Sequence, residues 1–222
     1  MILSVKNLSH EYTQGTNRLK ILKGLELNLR DGETLSIMGK SGSGKSTLLN
    51  LLAGLMRPTS GEVKILGESF SELSDKKRTK LRGKNLGVIF QQFHLLPHLT
   101  ALENISFAGE INNIENVMEK SKKLLERVGL SHRGDHFPHE LSGGEMQRVA
   151  VARALITSPK IILADEPSGS LDEKNAREII ELIFELVKEK KTSLIFVTHD
   201  EDLSKRCQRS LVLDGGILHE SH

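Results

Sequence analysis

The sequence predicts an α/β fold in which a parallel-sheet core carries an N-terminal antiparallel β subdomain and is interrupted by an inserted α-helical subdomain. Three observations carry this expectation. Four short apolar runs, each ending at a polar cluster, have the make-up of buried parallel strands. One of them leads through a glycine-rich turn straight into a helical pattern. Between residues 100 and 154 the pattern changes to helices, with strand-like runs before and after.

In chain order, Leu3-Ser4-Val5 and Leu25-Glu26-Leu27-Asn28-Leu29 alternate as half-buried strands do, and Glu62-Val63-Lys64-Ile65-Leu66 is a third candidate. The run Leu35-Ser36-Ile37-Met38 is the first parallel strand. A helix over residues 45–55 follows, because Leu48, Leu49, Leu51, Leu52 and Leu55 recur at helical spacing and Gly54 with Pro58 supplies a stop. Val88-Ile89-Phe90, Ile161-Ile162-Leu163-Ala164 and Leu194-Ile195-Phe196-Val197 are the other parallel strands. In the helical block, Ile114, Val117, Met118, Ser121, Leu124, Leu125 and Val128 mark one face of an amphipathic element that Gly129 ends. Residues 173–190 form a further helix with Ala176, Ile179, Ile180, Ile183 and Val187 inward. The domain boundaries expected are a core of 1–91 and 154–222 around a helical subdomain of 92–153.

A chain of 222 residues fits a single domain with a subdomain, and neither a repeat nor a linker divides it. Basic and acidic residues nearly cancel, 31 against 29, so no electrostatic footprint draws the protein onto nucleic acid. Cys207 has no second cysteine with which to bridge or bind metal, which suits a reducing compartment and a packing role. The start, Met1-Ile2-Leu3-Ser4-Val5-Lys6, lacks a secretory pattern. The longest uncharged stretch, 85–102, contains Gln91, Gln92, His94, Pro97 and His98 and does not read as a membrane span.

Three motifs carry chemistry. Gly39-Lys40-Ser41-Gly42-Ser43-Gly44-Lys45-Ser46 fits G-x-x-x-x-G-K-[ST] in full, between a strand and a helix. Its glycines let successive N–H groups converge on phosphate oxygens, and the helix end adds partial positive charge. Lys45 is expected at the β- and γ-phosphates of a bound nucleotide, and the Ser46 hydroxyl on Mg²⁺. Asp165 and Glu166 end an apolar strand, where open α/β sheets place ligand-binding residues; Asp165 suits the Mg²⁺ shell and Glu166 suits polarisation of the attacking water. The third is Leu141-Ser142-Gly143-Gly144-Glu145-Met146-Gln147-Arg148, a turn that opens into a helix and offers N–H groups and a hydroxyl to an anion. Alone, Ser-Gly-Gly also reads as an ordinary loop.

Together with the other two motifs, this run closely resembles the signature sequence of ABC transporter ATPases, and the resemblance covers essentially the whole chain. What it implies is a transport-coupled ATPase that binds ATP between two copies of itself. Residues 39–47, Thr47 included, cradle the phosphates on one copy, and Ser142, Gly143, Gly144 and Glu145 of the other close over the γ-phosphate. By the same resemblance Tyr12 stacks on adenine, Gln91 touches Mg²⁺ and the water, Asp172 in Ser170-Leu171-Asp172 crosses to the other copy, and His199 contacts the γ-phosphate. Glu166-Pro167-Ser168-Gly169-Ser170 departs mildly from the family's commoner wording. The other eight histidines, His219 and His222 among them, read as surface residues.

Residues 93–105, with Leu73-Ser74 and Leu81-Arg82, are similar to ATPases of the lipoprotein-releasing and macrolide-export type; the cell-division ABC ATPase is a close cousin, so the ATPase of a cell-division-type signalling complex is the alternative reading. The partners implied are a homodimer mate and an integral membrane permease, with the chain peripheral on the cytoplasmic face of the inner membrane. An ABC ATPase acting on DNA or ribosomes would usually carry two ATPase units or a long coiled-coil insertion, and neither is present. Phe93, Leu95, Leu96 and Leu99 either pack the helical subdomain or line a groove for a permease helix.

Overall fold

The computed structural model describes residues 1–15, 17–70 and 72–220, so His222 lies outside the described residues. The chain forms two compact units, Met1–Arg82 with Ser193–His222, and Gly83–Thr192. The first opens with β1 (Leu3–Gln14), β2 (Asn17–Leu29), β3 (Thr34–Met38), α1 (Lys45–Leu52), β4 (Ser60–Ile65) and β5 (Glu68–Ser69), and α2 (Asp75–Asn85) begins in it and ends with the first three residues of the second. The second holds β6 (Leu86–Ile89), α3 (Ala101–Ile111), α4 (Val117–Arg127), α5 (Gly143–Leu155), β7 (Ile161–Asp165) and α6 (Glu173–Lys190). The chain then returns to the first unit with β8 (Ser193–Thr198), α7 (Glu201–Ser204), β9 (Arg209–Asp214) and β10 (Ile217–Glu220).

In the first unit β2, β1, β4 and β5 pair antiparallel in that order. The alternating leucines explain the register: Leu3 faces Leu29, Val5 faces Leu27 and Leu8 faces Leu25, all buried. β3 lies between β8 and β9, parallel to both, with Met38 opposite Thr198. The turn after β3 and the residue after β8 therefore leave the sheet side by side. Helix α1 stops at Leu52, three residues short of the expected end, because Gly54 turns left-handed at φ +64° and the Leu55 N–H bonds to the Asn50 carbonyl. Helix α2 has no apolar stripe to announce it; Arg57 and Arg78 instead converge on Asp75 in its first turn, at 2.9 and 2.5 Å.

One sequence expectation is corrected here. His10 is buried rather than on the surface, set edge-on against Tyr12 with ring centroids 4.9 Å apart, because it sits on the covered face of β1. Cys207 packs as expected, and burial pushes its thiol up to about 12. Cys207 is half-buried, so at mildly alkaline pH the folded chain holds much less thiolate than one with an exposed cysteine. A chromogenic disulfide reagent is expected to label Cys207 slowly in the native protein and at once after unfolding; equal rates would contradict the burial.

In the second unit β6 and β7 run parallel with Ile89 opposite Ala164. All of 161–164 is buried, as a strand covered on both faces requires. The helices pack through Ala101, Ile105, Leu125, Val128, Leu130, Leu141, Val149, Ala152 and Ile156. Helix α4 turns Ser121 and Leu125 inward but leaves Met118 exposed, and Ile114 precedes the helix because left-handed Asn116 caps it at Val117. Helix α6 runs over the expected residues, capped by Asp172 at its start and ended by left-handed Lys191.

Candidate functional site

Within the first unit the glycine-rich turn leaves β3 and opens α1. Gly44 takes φ +101°, and a Cβ there would come within 2.8 Å of the Ile21 side chain, so only glycine fits. A Cβ on Gly39 would meet the Leu213 carbonyl oxygen at 2.6 Å. The first turn of α1 carries no acidic residue and no side-chain cap, which leaves its N–H groups to an incoming anion. Lys45 is buried, and its ammonium donates to the carbonyls of Gly39 at 2.8 Å and Lys40 at 3.1 Å. Ser46 is exposed and Thr47 half-buried; the hydroxyls of Thr47 and Tyr12 lie 3.4 Å apart. Tyr12 remains 42% exposed, which leaves part of its side chain accessible to a planar partner. His199 is exposed directly after β8. Beside the turn a cleft of about 350 Å³ is lined by Lys20, Lys23, Lys40, Ser41, Gly42 and Ser43 among others.

Within the second unit β6 and β7 are parallel neighbours; Gln91 follows the first, and Asp165 ends the second with Glu166 directly after it. Glu166 has φ +42°, a left-handed conformation that stores on the order of 1–3 kcal/mol in a non-glycine residue. Its carbonyl accepts from the Gly169 N–H at 2.9 Å, which closes the turn. The Ser170 hydroxyl donates to the Gln91 carbonyl at 3.0 Å, and a Cβ on Gly169 would lie 2.8 Å from the Gln91 amide nitrogen. Asp172 accepts from the backbone and side-chain amides of Asn175 at 3.1 and 2.5 Å, and these bonds, the side-chain one first, hold its carboxyl below the usual range.

The Ser-Gly-Gly turn opens α5 as expected, but it caps itself. The Ser142 hydroxyl accepts from the Glu145 N–H at 3.3 Å, while the Glu145 carboxylate accepts from the Ser142 N–H at 2.9 Å and from its hydroxyl at 2.8 Å. Arg133 Nε donates to the other carboxylate oxygen at 2.9 Å. The Ser142 N–H chiefly, then its hydroxyl and Arg133, hold Glu145 below the ordinary carboxylate range. The cap is therefore complete at neutral pH and is lost as pH falls through that lowered value.

Two side chains that the sequence reading gave no role tie these loops together. Arg153 donates to the carbonyls of Phe93, at 2.8 Å, and His94. Gln147 donates from the centre of α5 to the carbonyls of Phe90 and Pro167. A glutamine among Val149, Val151 and Ala150, on a helix buried nearly all round, was the available signal. Of the apolar residues after Gln91, Leu95 packs on the helical cluster, while Phe93, Leu96 and Leu99 are half-buried.

Residues 22–169 match the family described as ABC transporter. The lipoprotein-releasing system ATP-binding protein LolD of Xanthomonas axonopodis pv. citri is 48% identical over 99% of this chain and 91% of its own length. The protein of the same name from Pseudomonas syringae pv. tomato is 47% identical over 99% and 98%. A dimeric ATP-binding cassette solved in a post-hydrolysis state bound to ADP and Pi superposes with a TM-score of 0.90 at 38% identity, covering 98% of both chains. The cbiO1 protein from Clostridium perfringens, part of an ABC transporter complex, gives 0.85 at 32% identity over 98% of this chain and 86% of its own.

Proposed function

The chain belongs to the ABC transporter family and is an ATP-hydrolysing cassette, and we propose that the transporter it powers releases lipoproteins. The observation that carries this reading is the 48% identity to LolD, sustained over 99% of the chain. In this reading two copies close around two ATP molecules and drive an integral membrane permease, which places the chain peripherally on the cytoplasmic face of the inner membrane. No helix among the described residues is long and apolar enough to cross a membrane. The inserted helical subdomain is taken as 92–153, within a core of 1–91 and 154–222.

The residues take these roles. Gly39, Lys40, Ser41, Gly42, Ser43, Gly44 and Thr47 present the phosphate cradle, and Lys45 exchanges its two carbonyl partners for phosphate oxygens. Tyr12 stacks on the adenine ring. The Ser46 hydroxyl, the Asp165 carboxylate and the Gln91 amide oxygen are the hard oxygen donors that Mg²⁺ prefers. When bound, Mg²⁺ neutralises charge on the β- and γ-phosphate oxygens. Glu166 accepts the proton of the attacking water, and His199 donates to the γ-phosphate. Ser142, Gly143, Gly144 and Glu145 offer their helix end to the ATP of the other copy, and Asp172 lies in the loop that crosses to it.

Co-expression with a lipoprotein-releasing permease tests the reading. The pair is expected to purify together, to show permease-stimulated hydrolysis and to release a lipoprotein from proteoliposomes upon ATP addition. Leu99→Glu is expected to abolish co-purification with the permease at an unchanged melting temperature. Capture of the permease without any lipoprotein release would overturn the substrate, and full capture by Leu99→Glu would return Leu99 to the core.

A further inference from the structure

Gln147 is fully buried, yet it is polar, and its hydrogen bonds leave its own helix. Its amide nitrogen donates to the Pro167 carbonyl at 2.6 Å and to the Phe90 carbonyl at 3.3 Å. Both neighbours are carbonyl oxygens, so the side chain's orientation is fixed: only the NH₂ end fits between them. The first acceptor directly follows Glu166, the residue held at φ +42°. The second directly precedes Gln91.

The oxygen end of Gln147 has no hydrogen-bond partner among the described residues. A buried polar atom without a partner is unfavourable, and an apolar side chain of similar volume would avoid it. Packing therefore does not account for a glutamine here; the two donors of its nitrogen do. The loops it joins are the ones already tied by Ser170 to the Gln91 carbonyl and by Gly169 closing on Glu166.

We propose that Gln147 is a positioning residue for ATP hydrolysis, one amide clamping the backbone after Glu166 to the backbone before Gln91. This rests on the roles given above to those two residues. The clamp keeps the water-polarising carboxylate and the Gln91 amide in fixed relation. Because Gln147 lies on α5, a turn and a half from Ser142, a movement of that helix end is carried to both at once.

Four variants of the full chain test this, assayed for kcat, KM, nucleotide affinity and melting temperature. Gln147→Leu is expected to lower kcat roughly ten- to hundred-fold, as misplaced groups do, with nucleotide affinity within about twofold of the parent. Gln147→Glu has no donor when ionised and one when protonated. Its kcat is expected to fall as pH is raised from about 6 to about 9, with a titration the parent lacks. Val149→Ala, a cavity on the same helix, is expected to lower the melting temperature and leave kcat unchanged. Glu166→Gln serves as the reference. An unaltered kcat in Gln147→Leu beside an inactive Glu166→Gln would overturn the clamp alone, as would an equal loss of kcat in Val149→Ala. An active Glu166→Gln would instead remove the site reading, and the clamp with it. Should Gln147→Leu fail to fold, the pH profile of Gln147→Glu decides: a profile parallel to the parent's overturns the proposal.

Discussion

Glu166→Gln is expected to bind ATP as the parent does and to hydrolyse it about 10²- to 10⁴-fold more slowly, the range lost with a general base. The amide keeps the shape of the side chain but cannot accept a proton from water. The left-handed backbone at Glu166 is fixed by neighbouring groups, the Gly169 N–H and the Gln147 clamp on Pro167, so the substitution leaves the turn in place. Binding without turnover then accumulates the ATP-bound pair, visible as a dimer on size exclusion with Mg²⁺ and ATP. A monomer that hydrolyses ATP at the parental rate would refute the role of Glu166.

The second large effect is expected at Lys45. Its ammonium holds two carbonyls of the phosphate-binding turn, so Lys45→Ala removes a charged donor to phosphate and leaves the Gly39 and Lys40 carbonyls without that partner. A charge-assisted hydrogen bond contributes about 1.5–3 kcal/mol, so ATP affinity is expected to fall about ten- to hundred-fold. Ser142→Arg acts differently. It removes the α5 cap, at about 1 kcal/mol of stability, keeps ATP binding and blocks pairing. Mixing the two variants rebuilds one composite site, from Lys45 of one chain and Ser142 of the other. An ATP-dependent heterodimer on size exclusion is the expected result, and its absence would count against a shared site.

Much of this was legible in the sequence because apolar spacing and motif chemistry agreed. The runs 35–38, 161–164 and 194–197 are strands, and residues 173–190 are a helix, because in each the burial pattern alone decides the element. Helix α2 was not legible, since Asp75–Asn85 has no apolar stripe and is organised by arginines meeting Asp75. His10 was misread because burial depends on which strand covers it, and Ile114 because a left-handed asparagine starts the helix after it. The phosphate-binding turn, the acidic strand end and the Ser-Gly-Gly helix start all lie where their residues foretold. Gln147 did not declare itself, because its acceptors are 57 and 20 residues away.

The self-made cap at Ser142 has a further consequence. The backbone N–H and hydroxyl that would greet a phosphate already face the Glu145 carboxylate, whose charge Arg133 steadies. A stray anion in solution must displace a tethered competitor whose local concentration is far above its own. The γ-phosphate of an ATP gripped by another copy arrives tethered as well, so the contest becomes even only when the rest of the dimer surface is engaged. On the proposed reading, the Ser142 N–H and hydroxyl are thus guarded against the cell's free phosphate, and a nucleotide displaces the Glu145 carboxylate only when a second subunit delivers it.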